Sequence, residues 1–151
     1  MLSPGRIGMK TSICHQQHAK RSGAALVEFA FVLPVFLAIV LGIVEFGRAF
    51  VVHEMLTNAT RTGSRSAVLS YITSNQAIIS EVKSTLTEGK LPVADVTVSI
   101  LVNGSAGNLS NANRGDQIMV RATVPYSKVA FITPTFLANH NVVSETVMRR
   151  E

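Results

Sequence analysis

The chain has 151 residues, one cysteine and a net charge of +5, so it has room for one small domain beside its long apolar segment. The basic excess does not describe a nucleic-acid surface. Residues 1–23 hold four Lys/Arg and no acid, while the rest of the chain holds ten against nine. With Cys14 as the sole cysteine, an intrachain disulfide is excluded.

Residues 1–20 show neither periodicity nor an apolar face and read as a disordered cytoplasmic leader. Cys14, His15 and His18 have no fourth partner, so no metal is expected there. Cys14 precedes the apolar segment instead of following it, which excludes a lipoprotein anchor.

From Phe29 to Val44 there is no charged residue; the apolar block is marked only by Glu28 near its start and Glu45 near its end. As a helix, residues 24–47 extend roughly 36 Å, enough for a hydrocarbon core of about 30 Å. A helix is the single-segment solution that satisfies the backbone in lipid. Pro34 is expected to kink this helix without ending it. A buried core helix is seldom charge-free for so long, and a cleaved secretory signal has a shorter apolar core. The Lys/Arg of residues 1–23 place the N-terminus on the cytoplasmic side and the remainder outside.

Beyond Gly47 the helical pattern continues to about Leu69. Val52, Met55 or Leu56, Ala59, Gly63 and Ala67 recur on one face, and Glu54, Asn58, Arg61 and Arg65 on another. The apolar stripe needs a partner, and the sheet face bearing Val98 and Val120 is the expected one. A second helix is predicted after Thr73, with Thr73 as N-cap, Gln76 reaching back, an apolar face of Ile78 or Ile79, Val82 and Leu86, and Gly89 as C-cap.

The period then changes to two. Val96, Val98, Ile100 and Val102 predict a strand, broken by Asn103-Gly104. Residues 105–115 read as a loop, and Ile118, Val120, Ala122 and Val124 predict a second strand, antiparallel to the first and stopped by Pro125. Residues 129–137 read as a packed loop or one helical turn, and residues 141–148 as a last strand. The fold class is α+β: a long N-terminal transmembrane helix extending into a small periplasmic domain with a second helix and a short antiparallel sheet. The division is 1–23 leader, 24–47 membrane helix, 48–151 periplasmic domain.

Catalytic motifs are not found. His53-Glu54 opens a zinc-protease pattern that fails at Thr57. Arg114-Gly115-Asp116 suits a turn before a strand. Glycosylation-type patterns at Asn58, Asn103 and Asn108 are short enough to recur by chance. His140 stands alone, and Asp95, Asp116 and Glu145 form no pair in sequence. No enzyme activity and no cofactor are expected.

Gly23 and Glu28 are the unusual residues. An acid at the centre of a membrane helix costs about 3 kcal/mol on insertion scales, less near the interface. Cleavage after Gly23 would give Ala24 a free amine one helical turn from Glu28, within reach of a neighbouring subunit's carboxylate.

Gly23-Ala24-Ala25-Leu26-Val27-Glu28-Phe29, then residues 30–34, then Gly42-Ile43-Val44-Glu45-Phe46-Gly47-Arg48, and Leu56-Thr57-Asn58-Ala59 with Arg61 resemble the TadE-like family over residues 22–68. These are pseudopilin-type minor components of the Tad (tight adherence, Flp) branch of type IV pilus systems. The resemblance implies cleavage between Gly23 and Ala24 by a membrane prepilin peptidase. It also implies subunit assembly through Glu28 and Phe29, with membrane lipid, the peptidase and other Tad pilins and assembly proteins as partners, and an inner-membrane location. The rival readings are a single-pass, membrane-anchored envelope binding module that needs neither Gly23 nor Glu28, and an anchored envelope enzyme.

Overall fold

The computed structural model describes residues 18–69 and 74–151. They fall into two compact units, Met1–Val40 and Leu41–Glu151. Helix α1 is His18–Ala67 and contains Pro34; α2 is Asn75–Glu88. Strands β1 (Thr97–Val102), β2 (Ser105–Ala106), β3 (Gln117–Pro125) and β4 (Asn141–Arg149) follow. The fold is α+β, as expected.

Helix α1 begins at His18, so residues 18–20 are helical where a disordered leader was expected. The rest of that leader, with Arg6, Lys10, Cys14 and His15, lies outside the described residues. The most apolar stretch of α1 is long enough to cross a membrane and buries none of itself in the protein. Phe31 is 78% and Ile43 67% exposed. A core helix of a soluble protein would hide such residues, whereas a lipid-facing helix leaves them on its surface.

Past Phe46 the helix becomes one wall of the core. Val52, Leu56, Ala59 and Ala67 are fully buried, and Glu54, Asn58, Arg61 and Arg65 are exposed, as the periodicity predicts. The stripe packs with Ile78, Val82 and Leu86 of α2 and with Ile118, Val120, Ala122 and Val124 of β3, while Val98 is partly buried against the same cluster. Gly63 marks the closest approach: a Cβ there would overlap Val82 and crowd Ile78.

Helix α2 is capped at Ser74, and Ser74 makes no side-chain cap bond. Thr73, the expected cap, lies outside the described residues. Asn75 supplies the local tie instead, donating to the Gly107 carbonyl at 2.8 Å and accepting from Leu109 N–H at 2.9 Å. At the other end Gly89 is the C-cap, with φ −73°, and the left-handed residue is Lys90, φ 61°. Leu91 N–H bonds to Leu86 C=O at 3.0 Å and Lys90 N–H to Thr87 C=O at 2.9 Å. This is the Schellman pair of bonds, with lysine where glycine is usual.

The sheet is antiparallel throughout, in the order β2-β1-β3-β4. The expected loop 105–115 is corrected at its start. Val102 pairs with Ser105 and Leu101 with Ala106, so Asn103-Gly104 is a two-residue hairpin turn. Both turn residues have positive φ, 51° and 83°, which matches the right-handed twist of the flanking strands. Residues 109–111 add a 3-10 turn. β3 and β4 pair over nine positions, from Gln117 with Arg149 to Pro125 with Asn141. Val143, Glu145 and Val147 lie on the exposed face, where Glu145 meets Arg121 at 2.8 Å. At about 40% exposure each, that pair contributes under about 1 kcal/mol.

The helix meets β4 through hydroxyls. Thr57 contacts Ser144 at 3.0 Å, Thr60 contacts Thr146 at 3.0 Å, and Ser64 donates to the Thr146 carbonyl at 3.2 Å. Thr60 and Ser64 are fully buried, and these contacts satisfy their oxygens.

Candidate functional site

Gly23, Ala24, Glu28 and Phe29 all lie on the exposed surface of α1. Nothing approaches within 4 Å of a Cβ built at Gly23. The backbone is helical across 23–24, and Ala24 and Glu28 are separated by one turn, a rise of about 5.4 Å. Among the described residues Glu28 has no hydrogen bond or ion pair.

A second acid of the helix is treated in the opposite way. Glu45 is only 6% exposed. Its carboxylate accepts three consecutive backbone N–H groups, from Thr135 at 2.5 Å, Phe136 at 3.0 Å and Leu137 at 3.1 Å. Its own carbonyl accepts the Tyr126 hydroxyl at 2.9 Å. One turn on, Arg48 donates from Nε to the Val129 carbonyl at 2.8 Å, and its guanidinium lies 4.1 Å from the Phe131 ring centre. The segment 126–137 thus clasps the helix at Glu45 and Arg48. Pro134 has no N–H to orphan and delivers the chain to the three donors that follow. Burial, and then the nearby Glu45 charge, push the Tyr126 phenol above its ordinary value.

In the sequence Glu45 marks the end of the apolar block and belongs to the stretch that resembles TadE-like proteins, but no motif there announces the clasp. The available clue was chemical: an acid at the end of a span needs donors, and residues 129–139 form the one charge-free loop with Pro inside it.

The remaining acids have local partners. Asp116 accepts from Asn103 Nδ2 at 2.9 Å and from Asn113 N–H at 2.7 Å, and Gly115 has φ 93°. Arg114-Gly115-Asp116 is therefore a turn, and those bonds, the Asn103 amide first, hold the Asp116 carboxyl below its usual range. Asp95 faces Lys128 at 3.7 Å. His53 and His140 line one open apolar cleft with Phe46, Phe50 and Val143. Among the described residues no three His, Cys, Asp or Glu side chains gather to hold a metal.

No curated protein matches the chain, and no solved structure does. Residues 23–65 match the family of TadE-like proteins. That stretch opens on Gly23 and takes in Glu28, Glu45, Arg48 and the buried stripe as far as Gly63. The part of the chain that is similar to TadE-like proteins thus lies on the helix that carries both acids and the core stripe.

Proposed function

We propose that this chain is a membrane-anchored, minor pseudopilin-like component in the assembly of a Tad/Flp type IV pilus or a related secretion apparatus. In this reading the N-terminus is cytoplasmic, α1 crosses the inner membrane once, and the sheet-bearing body is periplasmic. A prepilin peptidase cuts between Gly23 and Ala24, which requires the helix to open locally at Gly23, where no side chain stands in the way. The observation that carries the reading is the TadE-like match beginning at Gly23 on a helix whose apolar stretch is wholly exposed.

Glu28 acts after the cut. When α1 moves into a bundle of pilin helices, the carboxylate loses water and needs a cation. The new amine at Ala24 of a neighbouring subunit supplies it, and each group offsets the other's desolvation. The test is an immunoblot for precursor and mature forms beside a count of surface pili. Gly23→Val should leave a precursor about 2.5 kDa heavier, the mass of a 23-residue leader, because a side chain obstructs the peptidase's approach. Glu28→Gln should be cut normally and fail to support piliation. Normal piliation with both variants would favour an unprocessed anchored module.

A further inference from the structure

The loop 129–137 (VAFITPTFL) contains no charged residue, and along the chain the titratable groups that flank it are Lys128 and His140; in space Glu45 and Arg48 touch it. It nevertheless presents Phe131 at 77%, Ile132 at 54% and Phe136 at 51% exposure. Three large apolar side chains on one loop form a patch that water disfavours. The loop is held to α1 at Glu45 and Arg48, where the apolar stretch of the helix ends. Leu41 and Val44 of the helix line one cleft together with Phe131 and Ile132. Whatever medium wets Leu41 and Val44 therefore wets the loop tip.

We propose that residues 131–136 insert into the bilayer beside the helix, at the boundary between acyl chains and headgroups on the body's side of the membrane. The proposal rests on α1 being a membrane span. Part of the loop's backbone is prepared for such a setting. The Thr135, Phe136 and Leu137 N–H groups are taken by Glu45, residue 134 has no N–H, and the Val129 carbonyl is taken by Arg48. Backbone that enters an apolar phase must be satisfied internally. The donors of residues 135–137 meet that condition, while the Phe131, Ile132 and Thr133 N–H groups have no partner among the described residues and so stay at the headgroup level, where water still reaches. The same contacts give Glu45 its donors at a depth where water is scarce, so the acid and the loop each solve the other's problem. Lys128 and His140 then sit where the chain returns to water, with Lys128 able to reach upward along its stem.

The chain has no tryptophan, so single substitutions report without background. Full-length Phe131→Trp, Phe136→Trp, Phe36→Trp in the span and Val147→Trp on the exposed sheet face are reconstituted separately in phosphatidylcholine–phosphatidylglycerol vesicles. Each is read with phosphatidylcholines brominated at different depths and with aqueous acrylamide. The expected result is quenching of Phe131→Trp and Phe136→Trp by shallow bromines, with protection from acrylamide relative to Val147→Trp, unchanged as protein is diluted in lipid. Acrylamide quenching equal to that of Val147→Trp, without bromine quenching, would overturn the proposal. So would protection that vanishes on dilution, which would make a second copy of the chain the occupant. Loss of bromine quenching at Phe36→Trp would remove the span itself, and with it both readings, whereas quenching there alone would remove only the loop insertion.

Discussion

Tyr126 reaches across 81 residues of sequence to donate its hydroxyl to the Glu45 carbonyl at 2.9 Å. The phenol is 1% exposed, so the bond is made away from water. Tyr126→Phe should cost about 1 kcal/mol, the net worth of one buried hydrogen bond. The raised phenol also has a pH signature. A group whose folded value lies above its unfolded value of about 10 gives stability that is complete below that pH and is lost as pH rises through the folded value. In a Tyr71→Phe background, phenolate absorbance should rise later than in unfolded chain, together with unfolding; titration at the ordinary value would contradict the burial.

Glu45→Ala removes the acceptor from three N–H groups at once. Residues 129–137 should detach and become cleavable, with limited proteolysis in detergent accelerated by on the order of tenfold or more, since more than one hydrogen bond is lost. Glu45→Gln keeps one carbonyl oxygen and should fall between. Equal protease resistance in all three proteins would show that the Glu45 carboxylate is not what holds the loop.

Gly63→Ala sets two effects against each other. Alanine favours a helix by about 1 kcal/mol over glycine. The added Cβ meets Val82 and Ile78 across the junction with α2, and overpacking of a core costs about 1–3 kcal/mol. The overlap should win, and denaturant unfolding of the variant should show a lower midpoint.

Lys90→Gly should have the opposite sign. A non-glycine residue in the left-handed region costs about 1–2 kcal/mol, part of which is returned by the greater freedom of glycine in the unfolded chain. The variant is expected to be more stable by about 0.5–1 kcal/mol in the same measurement.

Asp116 predicts an acid limb. Its carboxyl is held below the usual range by Asn103 and Asn113, so its contribution is present above the unfolded value of about 3.9 and fades as pH falls through the folded value. Asp116→Ala should lower the melting temperature at neutral pH and flatten the loss of stability below about pH 4. An unchanged acid limb would assign that limb to other carboxylates.

Where a side chain's environment repeats with the backbone period, the fold was legible. Ile118 to Val124 alternate because one face of β3 is core, and Val52, Leu56 and Ala59 recur because one face of α1 is core. Thr60 and Ser64 belong to that buried face too, but hydroxyls are counted as polar until their partners on β4 are known. The Asn103-Gly104 hairpin was within reach, since that dipeptide is the strongest short-range hairpin sign. Lys90 was not, because only the bonds from Leu91 and Lys90 back into α2 reveal who takes the left-handed position. The clasp lay furthest from view. Its partners are separated by 81 to 92 residues, and the donors that receive Glu45 are backbone groups, which every residue type shares. For Gly23 and Glu28 the sequence supplied position and pattern, and the structure adds their exposure.

The hydroxyl seam between Thr57, Thr60 and Ser64 of α1 and Ser144 and Thr146 of β4 has a consequence for environment. Each hydroxyl can both give and accept, and none carries a charge at any pH a cell meets. Ionic strength does not screen such contacts and acid does not protonate them, in contrast to the Arg121–Glu145 pair on the opposite face of the sheet. At this seam the body's grip on its helix therefore holds when the surrounding medium turns salty or acidic, whereas the clasp at Glu45 and Arg48 carries charge.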